Sequence, residues 1–228
     1  RQTEAPTRPL SFISISMNGR ILPAPDDSAH YIEFIGDSIT AGYGNLLNKQ
    51  TTGNNDEGSA LWEDGTQAFA YLTADALKAD FSMVAVSGIG VVCGTITSPQ
   101  IYPYGNYYRN SDTVKVNKRK ADVVVINLGT NDQVNNVPEA DFLTGAEVFV
   151  NTIKRDNPDA VIFWVFGMMG TNYQQVITSL FEKKGGPAAG YHVFTLPEGR
   201  SGGHWHPNLN EHKVAADVLS SYIKTVMK

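Results

Sequence analysis

The sequence predicts an α/β fold, a three-layer α/β/α sandwich around a mostly parallel central sheet of about five strands. Five compact apolar segments recur along the chain, and amphipathic helical patterns lie between them. Several of these segments are apolar throughout, which is typical of parallel strands covered by helices on both faces. The predicted strands are residues 31–35, 81–86, 121–128, 160–166 and 191–196.

The first 30 residues differ in pattern from the rest of the chain. Apolar and polar residues alternate over 13–17, and Asn18-Gly19 follows, which predicts a short N-terminal β-hairpin. A linker rich in proline and aspartate occupies residues 23–30. We therefore predict a hairpin and linker over residues 1–30 and the α/β domain over residues 31–228.

Two long helices are predicted in the second half of the chain. The first begins near Pro138 and contains apolar residues at helical spacing up to Ile153. The second follows Asn208, and Glu211 three positions later predicts a capping box. In this last helix Val214, Val218, Tyr222 and Val226 recur at four-residue steps.

Length and charge exclude several classes of function. A chain of 228 residues fits one large domain, or one domain with a small appendage. Its formal net charge of -5 is the wrong sign for attraction to nucleic acid or to an anionic membrane, and we expect neither partner. No apolar run approaches the roughly 18 residues of a membrane-spanning helix. The single cysteine, Cys93, excludes an internal disulfide and a multi-cysteine zinc site.

The carboxyl ends of the first three strands carry the unusual residues, and open parallel sheets build their sites at these ends. Ser38 follows the first strand, where it is suited either to a nucleophile or to a helix N-cap. Its amide can also face a developing anion. Gly88 follows the second strand and lets a backbone N–H approach a ligand. Asn131 follows the third, where its side chain can donate to an oxyanion or form an Asx turn.

Histidine and glycine patterns raise three further possibilities. His206 lies just before the last helix and is followed by a proline, a place suited to a general base. His204 and His206 also form a possible metal pair, but no third group of ligands lies nearby, so we expect no metal. Gly88, Gly90 and Gly94 imitate a dinucleotide fingerprint with the wrong spacing, so we expect no nucleotide cofactor.

Taken together and in order, these motifs resemble those of the SGNH hydrolase superfamily, also called the GDSL esterases. They are GDSIT after the first strand, a glycine after the second, GTND after the third and HPN before the last helix. Within the superfamily, FIGDSITAGYGN, VSGIGVVCGT, INLGTND and HWHPN look most like carbohydrate esterase family 2. Its members deacetylate plant polysaccharides and typically carry a β-sandwich before the hydrolase domain. The resemblance implies that residues 1–30 are the tail of such a module in a larger parent protein.

The resemblance implies a serine esterase that works through an acetyl-enzyme and needs no cofactor. Ser38 is the implied nucleophile, and His206 is the implied base. The amide groups of Ser38 and Gly88 and the side chain of Asn131 are the implied oxyanion donors. Asp37 is expected to anchor the turn rather than to serve as the triad acid.

One position departs from the superfamily pattern. Its last motif normally has an aspartate three residues before the histidine, and Gly203 stands there in this chain. No carboxylate can orient His206 from that position. We predict a Ser-His dyad whose imidazole is held by a backbone carbonyl or by a group from elsewhere in the chain. We expect Cys93 to be a small buried side chain near this site rather than a nucleophile.

Aromatic residues are the candidate substrate contacts. Tyr102, Tyr104 and Tyr107 lie on a loop between the second and third strands, where they suit either the faces of sugar rings or packing of the loop onto the domain. Trp205 is a further candidate because it adjoins His206. Trp164 lies inside an apolar strand and is expected in the core.

The predicted function is deacetylation of O-acetylated plant polysaccharides such as xylan and glucomannan. Because polymeric glycans lie outside the cell, a secreted or cell-surface enzyme is expected. Two alternatives remain open. One is a lipase or lysophospholipase on the same scaffold, which would prefer longer acyl chains. The other is a non-catalytic carbohydrate-binding protein that has kept the fold.

Overall fold

Five parallel strands form one sheet in the order β2-β1-β3-β4-β5. The computed structural model describes residues 13–48, 61–103 and 119–227. The predicted α/β architecture is confirmed, and each predicted strand is found within two residues of its expected bounds. The strands are β1 (Tyr31–Gly36), β2 (Asp80–Ala85), β3 (Val123–Asn127), β4 (Val161–Gly167) and β5 (Tyr191–Leu196).

Helices follow the strands along the chain. Within the described ranges they are α1 (Ser38–Ala41), α2 (Phe69–Leu77), α3 (Ser98–Ile101), α4 (Thr130–Val134), α5 (Glu139–Asp156), α6 (Gln174–Lys183) and α7 (Leu209–Val226). Short 3-10 turns lie at Gly65–Gln67, Gly186–Ala189 and Gly203–Trp205. None of the helices in this part of the chain combines the length and the hydropathy that a bilayer crossing requires.

Alternate residues of the strands point to opposite faces of the sheet and build two core clusters. On one face, α5 and α6 pack over Ile126 and Trp164. On the other, α2 and α7 pack over Val125 and Phe163. All residues of β1 and β3 are buried, because both strands lie inside the sheet and are covered on both sides. Trp164 is fully buried, as predicted.

The last helix confirms its predicted start, and its buried face is offset from the four-residue steps noted in the sequence. Asn208 caps α7, and the reciprocal bonds of the capping box with Glu211 are present. Val214 and Val218, however, are 41% and 36% exposed. The buried positions are His212, Ala215, Ala216, Leu219, Ser220 and Ile223. Small residues let α7 approach α2 closely, so the larger valines face outward.

The N-terminal hairpin is not formed within the described residues. Residues 13–30 contain no strand, although the chain bends at Asn18-Gly19 as the pattern suggested. Ile13, Ile15 and Ile21 are each more than half exposed. A two-stranded hairpin is marginal unless its apolar face packs on something. No such surface covers these side chains in the described part of the molecule.

His212 joins α7 to the start of α2. Its side chain is fully buried, and its Nδ1 accepts the backbone N–H of Phe69 at 3.1 Å. An accepting Nδ1 requires the neutral ring with its proton on Nε2. Burial, with a smaller contribution from His206, lowers the pKa of His212 to about 3.

This buried histidine predicts a loss of stability in acid. The pKa of His212 is lower in the folded chain than in the unfolded chain, so the unfolded state binds more protons as pH falls below about 6.5. The free energy of unfolding should therefore decrease by on the order of several kcal/mol between pH 6.5 and pH 4. Urea unfolding across this range measures the slope.

The variant His212→Asn isolates the effect, because the asparagine oxygen can accept the same N–H and does not titrate in this range. We expect a shallower pH dependence in this variant than in the wild type. His30→Asn, at a half-buried position, serves as the matched control and should retain the wild-type slope. An unchanged slope in His212→Asn would contradict the assignment.

Candidate active site

Ser38 is the first residue of α1, two positions beyond the end of β1. Asp37 caps the helix, because its Oδ1 accepts the N–H of Ile39 at 3.0 Å. It is therefore an anchor of the turn, as predicted. Gly36 is required before it, since a Cβ at that position would lie 2.0 Å from Oγ1 of Thr40. The sharp turn places the Ser38 hydroxyl at the carboxyl edge of the sheet.

His206 contacts Ser38 across the site. Its Nε2 lies 2.8 Å from Oγ of Ser38, and its Nδ1 lies 2.9 Å from the backbone carbonyl oxygen of His204. A carbonyl only accepts, so Nδ1 is the protonated nitrogen of the neutral ring. Nε2 is then free of a proton and accepts the Ser38 hydroxyl. The predicted support by a backbone carbonyl is present in the structure.

The carbonyl of His204 reaches His206 through an unusual backbone. His204 has φ 49° and ψ 40°, and Trp205 has φ 62°, so two consecutive bulky residues are left-handed. Such a conformation costs roughly 1–2 kcal/mol per residue. The neighbouring turn is closed by the bond from the His206 N–H to the carbonyl of Gly203 at 3.0 Å. The surrounding structure must therefore hold this turn in place.

Burial tunes His206 toward its neutral form. Desolvation lowers the pKa of His206, and its hydrogen bonds to the His204 and Gly203 backbone oppose that decrease only in part. The pKa of the ring therefore lies below its usual value. At neutral pH the imidazole is unprotonated and able to take a proton from Ser38.

Two backbone amides next to Ser38 are open to a ligand. The N–H groups of Ser38 and Gly88 have no hydrogen-bond partner among the described residues. Gly88 has φ +79°, and a Cβ there would meet nothing within 4 Å. The N–H of Val86 donates to the carbonyl of Gly36, which holds the end of β2 beside the turn of Ser38. The roles of both amides as oxyanion donors stay predictions.

Asn131 links the motifs rather than presenting a free donor. Its Nδ2 donates to the carbonyl of Ile89 at 2.9 Å and to Oδ2 of Asp37 at 3.2 Å. Both neighbours are acceptors, which fixes the nitrogen on that side of the amide. The two protons are thus engaged within the protein. The role of Asn131 as an oxyanion donor stays a prediction, and its position ties the second motif to the first.

Asp132 is a further residue of the site that the sequence motifs did not single out. It is fully buried, and its carboxylate accepts the N–H groups of Val91, Val92 and Cys93 at 3.0, 3.0 and 3.3 Å. Gly90 allows this approach, because a Cβ there would lie 2.4 Å from the carboxylate. Asp132 therefore shapes the loop that carries Gly88. Its position beside Asn131, just after the end of β3, is the sequence feature that could have identified it.

The predicted aromatic contacts have different outcomes. The prediction that Tyr102 contacts the substrate is wrong, because this residue is only 2% exposed and its ring packs edge-on against Phe149. Its hydroxyl donates to the buried Glu33 at 3.2 Å, so it serves the core and not a sugar. Tyr104 and Tyr107 lie outside the described residues.

Trp205 is 44% exposed beside His206, a position compatible with the substrate contact predicted for it. Cys93 is buried, as expected, and lies against Asp132. Burial and the nearby Asp132 carboxylate raise the pKa of the Cys93 thiol to about 12. The thiol is therefore protonated at neutral pH and unsuited to act as a nucleophile.

Comparison with known proteins identifies a family and several relatives of this chain. Residues 34–214 match the model of the GDSL-like lipase/acylhydrolase family. The chain is 32% identical to the cellulase/esterase CelE of Acetivibrio thermocellus over 98% of its length. It is 33% identical to an acetylxylan esterase/glucomannan deacetylase of Cellvibrio japonicus over 85% of its length. It spans 29% and 58% of the lengths of these two relatives, respectively.

A solved structure with the same fold is that of an active-site mutant of a family two carbohydrate esterase from Clostridium thermocellum. The TM-score is 0.79 at 29% identity, and the match covers 90% of this chain and 66% of the other.

The Asp132 contacts predict a stability loss in the variant Asp132→Asn. Replacing one carboxylate oxygen by an NH2 group places a donor against a backbone donor and leaves a buried N–H unpaired. We expect the free energy of unfolding to fall by about 1–3 kcal/mol. Urea unfolding measures the difference. Asp159→Asn, at an exposed turn, is the matched control and should differ from the wild type by less than about 0.5 kcal/mol. Equal effects in the two variants would contradict the role of Asp132.

Proposed function

Because the chain belongs to the GDSL-like lipase/acylhydrolase family, we propose that it is a serine esterase. We further propose that it removes acetyl groups from O-acetylated polysaccharides such as xylan and glucomannan. The observation that carries the proposal is the contact of 2.8 Å between Oγ of Ser38 and Nε2 of His206, with two open amides alongside. The proposed nucleophile, its base and a candidate anion site then lie together at the carboxyl end of the sheet.

In the acylation step, Oγ of Ser38 forms a bond to the ester carbonyl carbon while Nε2 of His206 takes the hydroxyl proton. The negative charge on the carbonyl oxygen is stabilised by the N–H groups of Ser38 and Gly88. Losing one such donor typically lowers turnover about 10²–10³-fold. The bond from the carbonyl carbon to the sugar oxygen breaks, and the proton on Nε2 passes to that oxygen. The products are a free sugar hydroxyl and an acetyl group on Ser38.

Deacylation repeats the steps with water. His206 takes a proton from a water molecule, whose oxygen attacks the acetyl carbon, and the proton returns to Ser38 as acetate leaves. Nδ1 donates to the His204 carbonyl throughout, since His206 keeps that proton in both of its forms. A neutral carbonyl stabilises the imidazolium less than a carboxylate does. The base is therefore weaker and still unprotonated at mildly acidic pH.

The proposed substrate class rests on two supports. The relatives of this chain include a protein named acetylxylan esterase/glucomannan deacetylase. The exposed Trp205 ring beside His206 also offers a flat apolar surface of the kind that sugar rings stack on. An enzyme acting on such polymers would work outside the cell, so we propose a secreted or cell-surface location.

Acetate release from acetylated xylan and glucomannan tests the function. The wild type should release acetate, and Ser38→Ala should release none above the uncatalysed rate, since it lacks the attacking oxygen. The exposed Ser221→Ala is the matched control and should retain wild-type activity. Absence of release by the wild type together with retention on insoluble glycan would instead indicate a carbohydrate-binding protein. Faster hydrolysis of octanoyl than of acetyl p-nitrophenyl esters would indicate a lipase-type enzyme.

The lowered pKa of His206 predicts the pH profile. The acidic limb of kcat/KM reports the protonation of the base in the free enzyme. Because burial lowers the pKa of His206, its unprotonated form persists below the ordinary histidine value. We expect the acidic limb of kcat/KM for p-nitrophenyl acetate to be centred below pH 6.5, with unfolding monitored at each pH. A limb centred above pH 7 would contradict this environment for the base.

A further inference from the structure

Tyr43 contacts both halves of the proposed dyad, although the mechanism above does not use it. Its backbone N–H donates to the carbonyl of Ser38 at 3.0 Å. Its hydroxyl lies 3.0 Å from Nδ1 of His204, and its ring centroid lies 4.7 Å from that of His206. The side chain thus bridges the nucleophile turn to the turn that holds the base, 161 residues further along the sequence.

We propose that Tyr43 is a positioning residue for His206, acting through the side chain of His204. The inference rests on the proposed esterase function and extends it. Tyr43 holds His204 in its left-handed conformation by the hydroxyl–Nδ1 hydrogen bond, and that conformation directs the His204 carbonyl at Nδ1 of His206.

His206 needs a positioning residue because the acceptor of its Nδ1 proton is a backbone carbonyl and not a side-chain carboxylate. A carboxylate that orients a catalytic histidine is a side chain and adjusts its own position by rotation. A backbone carbonyl points only where the backbone directs it. Relaxation of His204 to a commoner backbone conformation would rotate its carbonyl away from Nδ1 of His206. The favourable contacts of the His204 side chain must therefore offset the conformational cost of roughly 1–2 kcal/mol.

Glycines on either side let Tyr43 reach this position. Gly42 and Gly44 both have positive φ, at 88° and 65°. A Cβ on Gly44 would lie 2.8 Å from the carbonyl oxygen of Gly203, whose own N–H donates to the Gly44 carbonyl at 3.0 Å. The two turns are therefore in backbone contact. The Tyr43 ring is tilted against both histidine rings, and its centroid lies 5.8 Å from that of His204 and 4.7 Å from that of His206.

The variants separate the hydroxyl from the ring. Tyr43→Phe removes the hydrogen bond to His204 and keeps the ring beside His206. His204→Ala removes the acceptor, whereas His204→Asn retains an acceptor at the δ position and tolerates a left-handed backbone. Tyr222→Phe is the matched control, because its hydroxyl also bonds a histidine Nδ1, that of His192 at 3.1 Å, between α7 and β5.

Steady-state kinetics on p-nitrophenyl acetate measure the effect. We expect Tyr43→Phe and His204→Ala each to lower kcat about tenfold with KM changed less than about twofold, because the base is misaligned while the substrate surface remains. His204→Asn should recover most of the loss, and Tyr222→Phe should match the wild type. The double variant of Tyr43→Phe and His204→Ala should be no slower than His204→Ala alone, since one residue acts through the other.

Additive losses in the double variant would overturn the proposal, as would an unchanged kcat in Tyr43→Phe. A second measurement does not depend on turnover. The proton on Nδ1 of His206 should give a downfield NMR resonance that persists in Tyr222→Phe and weakens or shifts upfield in Tyr43→Phe. An identical resonance in both variants would also overturn the proposal. If the wild type hydrolyses no ester, the proposed function fails, and this resonance still decides the positioning role.

Discussion

The hydrogen bond from Nδ1 of His206 to the backbone carbonyl of His204 is the constraint on which the site depends. It fixes the tautomer of the ring and so makes Nε2 the acceptor that faces Ser38. It also requires left-handed backbone at His204 and Trp205. The neighbouring turn packs closely on it, since a Cβ on Gly44 would lie 2.8 Å from the carbonyl oxygen of Gly203. In the proposed site, which lacks the usual acid of the superfamily, a main-chain carbonyl thus occupies the place of that acid beside Nδ1.

The parallel sheet supplies the rigid frame that this bond requires. Pairing of β1 with β2 and β3 brings three strand ends to one edge, where Ser38, Gly88 and Asn131 follow them. Asn131 joins the first two ends through Asp37 and Ile89. Buried polar bonds of this kind are costly to break, so they hold the loops at fixed spacing. Ser38 and the two open amides are therefore held in fixed positions in the unliganded protein.

Features of the fold and the site that follow from local sequence patterns were predictable. Apolar segments located the strands, and Asn208 with Glu211 located the start of α7. The departure at Gly203 predicted a histidine held by a backbone carbonyl or by a group from elsewhere in the chain. Contacts made at a distance were not predictable in this way. The burial of Tyr102 depends on Glu33, which precedes it by 69 positions. The exposed face of α7 depends on how closely α2 approaches, which no spacing within α7 reveals.

The decisive measurement is a crystal structure of the protein with Ser38 phosphonylated, because the adduct imitates the tetrahedral intermediate of the proposed reaction. We expect Nδ1 of His206 to remain within about 3.2 Å of the His204 carbonyl oxygen and to have no carboxylate partner. We also expect the phosphonyl oxygen to lie within hydrogen-bond distance of the amides of Ser38 and Gly88. A His206 ring turned away from that carbonyl, or bonded instead to a carboxylate, would show that the carbonyl does not orient the base.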